Sequence, residues 1–280
     1  MRPRASRTTV PRPRSGMRRW AAAGVALGGL AGLLAFAPAS WLAAAIASAS
    51  GQHLLLADAR GTVWSGDAVA VLTGGPGSRS ASALPGRLAW SLAWRDGALE
   101  LRPRQACCLR GEPRLRLRPG LGTWQVEMLA AASPGAAGRP SQLGQWPAGW
   151  LAGLGTPWNT LQLDGELRLA TPGLRFDIAQ GRWRVSGAAV LDLADVASRL
   201  STLPTLGSYR MRVEGQGDRA DLALSTVAGA LRLDVAGQWG ASGLHLRGEA
   251  SAAPGSEAAL SNLLNIIGRR QGERSLIAIG

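Results

Sequence analysis

Two histidines, two cysteines and 18 acidic residues carry whatever catalytic chemistry this 280-residue chain has. His53 and His245 lie far apart in sequence, each beside leucine in a strand-like run, which reads as a strand-face position rather than a ligand pair. Cys107 and Cys108 are adjacent, and no second cysteine pair exists to complete a thiol-redox centre or a zinc site. In an oxidising compartment they have three options: two buried thiols, a bond to each other, or a bridge between two copies of the chain. The acidic residues stand mostly singly inside strands, while Asp192 and Asp195 suit the start of a helix. No HExxH, CxxC or GxSxG occurs, nor any glycine-rich loop opening a helix after a strand. An enzyme needs a nucleophile, a base and an orienting group, and the sequence offers no such set. Arg102, Arg104, Arg114, Arg116 and Arg118 form a basic cluster that reads as a solvated sheet face.

The elements that would position any of these residues are short strands. Leu88, Trp90, Leu92 and Trp94 alternate with Arg87, Ala89, Ser91 and Ala93, so both tryptophans share a strand face. Asp96 and Gly97 then give a two-residue hairpin signal before the alternating run at 98–102. Further strands are expected at 114–118, 122–129, 161–169, 174–178, 182–193, 209–214, 221–225, 230–237 and 243–250, with a turn at Gly181 and a last strand at 274–279. Helices are expected at 145–153, at 192–203 with a stop at Pro204, and at 256–267. In the last of these Leu260, Leu263, Leu264 and Ile267 form a stripe. Ser256 is its expected cap, Gly268 its end, and Arg269 and Arg270 suit the negative end of its dipole. The expected class is all-β: an antiparallel, curved or sandwich-like sheet with a few short helices.

The amino terminus reads differently. Residues 1–19 hold seven arginines and no acid, and their proline content predicts a disordered basic tail. All 31 basic residues are arginine, so composition bias, rather than a guanidinium site, accounts for their type. The net charge of +13 points at first to nucleic acid, but beyond the tail 24 arginines face 18 acids, which excludes nucleic acid as the expected partner. From residue 20 to 37 no charge occurs, a length of about 27 Å as a helix. With Trp20 and Trp41 as interfacial residues, a transmembrane anchor is expected over 20–47, its amino terminus cytoplasmic and the body across the membrane. The apolar run exceeds a signal-peptide core of roughly 7–15 residues, and Pro38 disfavours cleavage after Ala37, so the anchor is expected to be retained. Gly24, Gly28 and Gly32 lie on one helix face, a double GxxxG that admits close approach of another helix.

Just beyond the anchor comes ARGTVWSGDA at 59–68. Thr62, Val63 and Trp64 read as a short strand between Gly61 and Gly66, with Gly66 supplying the positive φ of the following turn. In order along the chain stand GTVWSG at 61–66, LAWSLAW at 88–94, GxYxxxxxG at 207–215, LxLSTxxGxLxLxxxGxW at 222–239 and ALxxLLxxIGRRxGxRSLIxIG at 259–280. This series resembles the type II secretion system protein N family over roughly residues 53–280. The motif positions that carry the resemblance are Gly61, Trp64, Gly66, Trp90, Trp94, Tyr209, Gly229, Leu260, Leu264 and Gly268; all are structural, none catalytic.

The resemblance implies a bitopic inner-membrane protein with a periplasmic body, accessory to the export of folded proteins across the outer membrane. Its implied partners are other secretion components, the inner-membrane platform and the outer-membrane secretin, and it implies no cofactor. The proline–arginine tail and the cysteine pair are not family features. Domain organisation is expected as a tail (1–19), an anchor (20–47), a first β sub-sheet (50–131), a linker with a short helix (132–158) and a second sub-sheet (159–280). A rival reading is a protein whose curved sheet forms an apolar groove for lipid, as in AsmA-like periplasmic proteins. Its tryptophans at 90 and 94 would then line the groove.

Overall fold

A computed structural model describes residues 15–110, 113–129, 141–180 and 182–280, with side chains from Trp20 onward. Most of the expected basic tail, residues 132–140 of the expected linker and the turn residue Gly181 lie outside the described residues.

The uncharged amino-terminal segment forms two helices, α1 (Ser15–Ala35) and α2 (Ala39–Ala49), where one spanning helix was expected. Pro38 separates them: with φ −68° and ψ 148° it is extended, and it has no N–H to continue the helical ladder. No described helix is long and apolar enough to cross a membrane. The halves also differ in surroundings. Ala39, Leu42, Ala43 and Ile46 of α2 pack against the sheet with Leu56, Ala68 and Trp90, so α2 belongs to the folded body.

The body is one antiparallel sheet. Its first strands are β1 (Leu54–Gly61), β2 (Ser65–Thr73), β3 (Ala81–Ala83), β4 (Leu88–Arg95), β5 (Ala98–Arg104), β6 (Arg114–Gly120) and β7 (Thr123–Leu129). Next come β8 (Ser141–Pro147), a 3-10 helix (Ala148–Leu154), α3 (Trp158–Leu161) and the long pair β9 (Leu163–Ala179) and β10 (Arg182–Ser198). The chain closes with β11 (Gly207–Gly217), β12 (Arg219–Gly229), β13 (Leu231–Gly240), β14 (Gly243–Ala252), α4 (Glu257–Ile267), β15 (Arg269–Gln271) and β16 (Arg274–Ile279). Nearly every strand pairs with its sequence neighbour, and β7 pairs β9, so the sheet is continuous past residues 130–140. Short hairpins set this order: Asp96 and Gly97, for example, both adopt positive φ (48° and 71°), as a two-residue primed turn requires.

Three local expectations are corrected. Residues 192–198 continue strand β10 instead of starting a helix. Their alanines carry helix propensity, but the segment pairs with β9 and β11 on both sides, and tertiary pairing prevails. Asp195 sits at the bulge with φ 50°. Residues 145–147 likewise finish β8, and the turn that follows is 3-10 rather than α. At the amino-terminal motif, residues 62–64 form the turn and Ser65 already begins β2; the positive φ belongs to Gly61 (87°), not Gly66.

Helix α4 forms where its stripe predicts, burying Leu260, Leu263 and Leu264. Its ends differ from expectation. The Ser256 side chain makes no cap bond; Glu257 instead accepts from the Gly255 N–H at 3.1 Å. Gly268 is extended (φ −167°), and a Cβ there would sit 2.5 Å from the Leu276 carbonyl oxygen. Arg269 and Arg270 belong to β15 and are exposed.

Candidate binding groove

Strand alternation gives the sheet one apolar face. A row of paired residues runs Leu92, Leu101, Leu115, Met128 and Leu174 across β4 to β9. A second continues as Leu191, Met211, Leu224, Val235, Gly248 and Ile277 across β10 to β16. The opposite face carries Asp192, Arg210, Arg212, Glu214, His245 and Arg247.

This apolar face is concave. Trp183 of β10 and Trp239 of β13 stack with ring centroids 4.7 Å apart, although two strands lie between them. Three flat inter-strand steps would hold these positions about 14 Å apart, so the sheet curls until its two walls touch. Glycine makes the curl possible: at Gly237 and Gly248 an added Cβ would collide with the backbone of the adjoining strand.

One end of the resulting groove is closed. α4 and α3 cover Val196, Leu206, Tyr209 and Leu231, forming the main core. Tyr209 donates its hydroxyl to the Leu231 carbonyl at 3.1 Å, and burial pushes its phenol well above the usual tyrosine range. Next to this floor an apolar cavity of about 1110 Å³ remains unfilled, lined among others by Leu193, Leu224, Leu233, Ile266, Ile277 and Ile279. The other end is a lip of hairpin turns, where the Trp183–Trp239 stack bridges the two walls. Among the described residues beyond 50, Val227 and Ile266 are the exposed large apolar side chains away from this lip. Trp64, Trp94, Leu121, Trp124, Ile178, Trp239, Leu244 and Ile279 all stand at strand ends along it. α1 reaches the body at the same lip, where the Trp64 indole donates to the Leu34 carbonyl at 2.7 Å and the Val63 N–H to that of Ala37 at 2.9 Å.

The sequence-derived positions divide accordingly. Trp90 is buried, its indole N–H shared between the carbonyls of Thr62 and Val63, whereas Trp94, on the same strand face, is 62% exposed at the lip. Gly66 makes room for Trp90: a Cβ there would lie 2.7 Å from its ring. Gly61 turns the first hairpin, and Gly229 (φ 132°) lies directly against Gly207 of the neighbouring strand. Leu260 and Leu264 fill the floor. Gly24, Gly28 and Gly32 stand on α1 with nothing within 4 Å of a Cβ, so among the described residues no helix meets that face.

The chemistry-bearing residues do not converge. The His53 ring meets its local Ser50 carbonyl, and His245 lies on the convex face. Among the described residues no three His, Cys, Asp or Glu side chains gather as a metal set. Cys107 and Cys108 are joined to each other, which decides among the three options, and Cys108 is buried in the second core. The basic cluster hides a partner that sequence reasoning missed. The Glu100 side chain, 3% exposed, accepts from Arg102 at 2.6 Å and Arg116 at 3.4 Å. Burial alone would raise the Glu100 carboxyl, but these guanidinium groups hold it below its ordinary range. Only the pairing of β5 with β6 brings Arg116 opposite Glu100, a contact that sequence spacing does not signal.

No curated protein and no solved structure matches the chain. One protein-family model does, described as "Type II secretion system (T2SS), protein N", over residues 52–276. That span takes in every strand from β1 to the middle of β16, and the chain therefore belongs to the type II secretion system protein N family.

Proposed function

We propose that the chain is a non-enzymatic accessory component of type II secretion, held at the inner membrane by α1 with its sheet in the periplasm. It acts there by contacting other secretion components, the inner-membrane platform and the secretin among them. Family membership supports the accessory role in secretion. The observation that carries the membrane placement is the surface of α1. Trp20, Val25, Leu27, Leu30 and Leu33 spread over more than half of its circumference and every one is exposed, as is Phe36 just beyond it; Gly24, Gly28 and Gly32 occupy the remainder. A helix that is apolar over most of its surface and, among the described residues, meets the body only at its carboxy-terminal end has a lipid or helical environment as its natural partner. From Trp20 to its end at Ala35, α1 rises about 24 Å, so residues 36–37 and thinning of the bilayer must supply the remainder of a ~30 Å core. The arginines before Trp20 keep that end cytoplasmic.

The GxxxG face of α1 is the surface through which a neighbouring membrane helix approaches. The test is co-purification of other secretion components with the full chain from detergent-extracted membranes, before and after Gly24, Gly28 and Gly32 are changed to leucine. Loss of a component on substitution supports the reading, and unchanged recovery removes this face as the contact.

A further inference from the structure

We infer that the concave groove between the α3–α4 floor and the Trp183–Trp239 lip binds an acyl chain of an anionic phospholipid, taken in through the lip. This goes beyond a role in secretion, and rests on the membrane placement of α1 only for the side from which lipid arrives.

Three observations carry it. The first is the cavity: about 1110 Å³ of unfilled space under a wall of leucine and isoleucine, with Arg247, Arg269 and Tyr209 as the polar side chains of its lining. The second is depth. On β13 the inward side chains Leu231, Leu233, Val235 and Trp239 climb from floor to lip, a rise of about 26 Å at strand spacing. One leaflet of a bilayer core is about 15 Å thick, so the strand is long enough to lie beside a whole acyl chain, whose tail would fill the cavity at Leu231 and Leu233 while its ester end passes Val235 and the Trp183–Trp239 stack to the lip. The third is the lip itself. Its exposed tryptophans are the residues suited to the boundary between hydrocarbon and headgroups.

The charges at the lip match a phosphate. Arg95, Arg118, Arg182 and Arg219 stand at the hairpin ends on the outer side of the lip, one register step from the inward Trp94, Trp124, Trp183 and Trp239, against Asp96 and Asp218. Among the described residues Arg95, Arg118 and Arg182 make no ion pair, and Arg219 reaches only Asp221, at 3.7 Å. Cations beside an apolar entrance favour a negatively charged headgroup over a zwitterionic one. An amphipathic helix of another protein also suits an apolar groove, but its flanking charge would need to be acidic to meet this lip; lipid is the occupant argued here.

The test places p-benzoylphenylalanine in the full chain, reconstituted into vesicles of mixed phosphatidylethanolamine and phosphatidylglycerol and irradiated. Leu233→p-benzoylphenylalanine samples the groove interior, and Ala236 and Gln238 give the same substitution on the opposite face of one strand. The expected result is a phospholipid adduct at 233, none at 236 or 238, and enrichment of phosphatidylglycerol over its share of the vesicle. Changing Arg118, Arg182 and Arg219 to glutamine should abolish that enrichment while the adduct persists. Should the Leu233 variant lose its protease-resistant body, Trp239→p-benzoylphenylalanine at the exposed lip gives the same reading. Equal labelling of both faces, no lipid adduct in a folded variant, or an adduct to protein overturns the inference. None of these results bears on co-purification through α1, so the two readings fail separately.

Discussion

Single side chains sort sharply by which end of the groove they occupy, and the one tyrosine makes this measurable. Tyr209 is the chain's sole tyrosine, so its ionisation reads directly in the absorbance of the intact protein. Its phenol is raised by burial, above an unfolded value near ~10. The neutral form is thus favoured by folding. That stabilisation is fully present below pH ~10 and is lost as pH rises toward the folded value. The expected titration shows no phenolate near pH ~10 and a rise only as the sheet unfolds at higher pH; a simple transition near pH ~10 would place Tyr209 in solvent. Tyr209→Phe removes the bond to Leu231 and should cost about 1 kcal/mol at neutral pH, while making the remaining protein less sensitive to base. The tryptophans separate in the same way. Trp90→Ala should destabilise by about 3–5 kcal/mol, whereas Trp94→Ala should stay within about 0.5 kcal/mol in denaturant unfolding. The sequence places both on one face, and alternation alone cannot say that the sheet curls over one and leaves the other at the rim.

At the scale of elements, strands are legible wherever hairpin and alternation agree. Asp96 with Gly97, and the leucine rows of β12 and β13, announce themselves locally, and α4 does so through its stripe. What fails is local reading against a pairing partner. The alanines of 192–198 favour helix until β9 and β11 close on both sides, and the apolar run at 20–47 looks uniform although α2 has a sheet to cover and α1 has none. The groove was legible only as a rival possibility, because curvature depends on glycines meeting a neighbouring strand's backbone. Gly229 tests this dependence. It combines φ 132° with contact against Gly207, so Gly229→Ala meets both backbone strain and collision. The expected loss is about 2 kcal/mol or more, with β11 and β12 among the first amides to exchange. A neutral outcome would mean that these strands separate readily at the floor and do not hold the curl.

For the whole molecule, the distribution of charge and apolar surface decides how it is attached. Seven arginines precede Trp20, and the lip carries four more. Attachment through these alone would be electrostatic, and would fade once the screening length falls to about 3 Å in ~1 M salt. α1 offers an attachment that salt does not weaken, since hydrophobic burial is unaffected by screening and is strengthened by excluded salts. The expected outcome of washing membranes with ~1 M salt is that the full chain stays in the membrane fraction and leaves it only with detergent. Release by salt would make α1 a surface helix and the arginines the true anchor. Retention leaves the lip arginines free for a different task, since a chain already tethered beside the bilayer gains little further affinity from them. Their position next to an empty apolar groove then bears on which headgroup reaches the lip, rather than on whether the protein reaches the membrane at all.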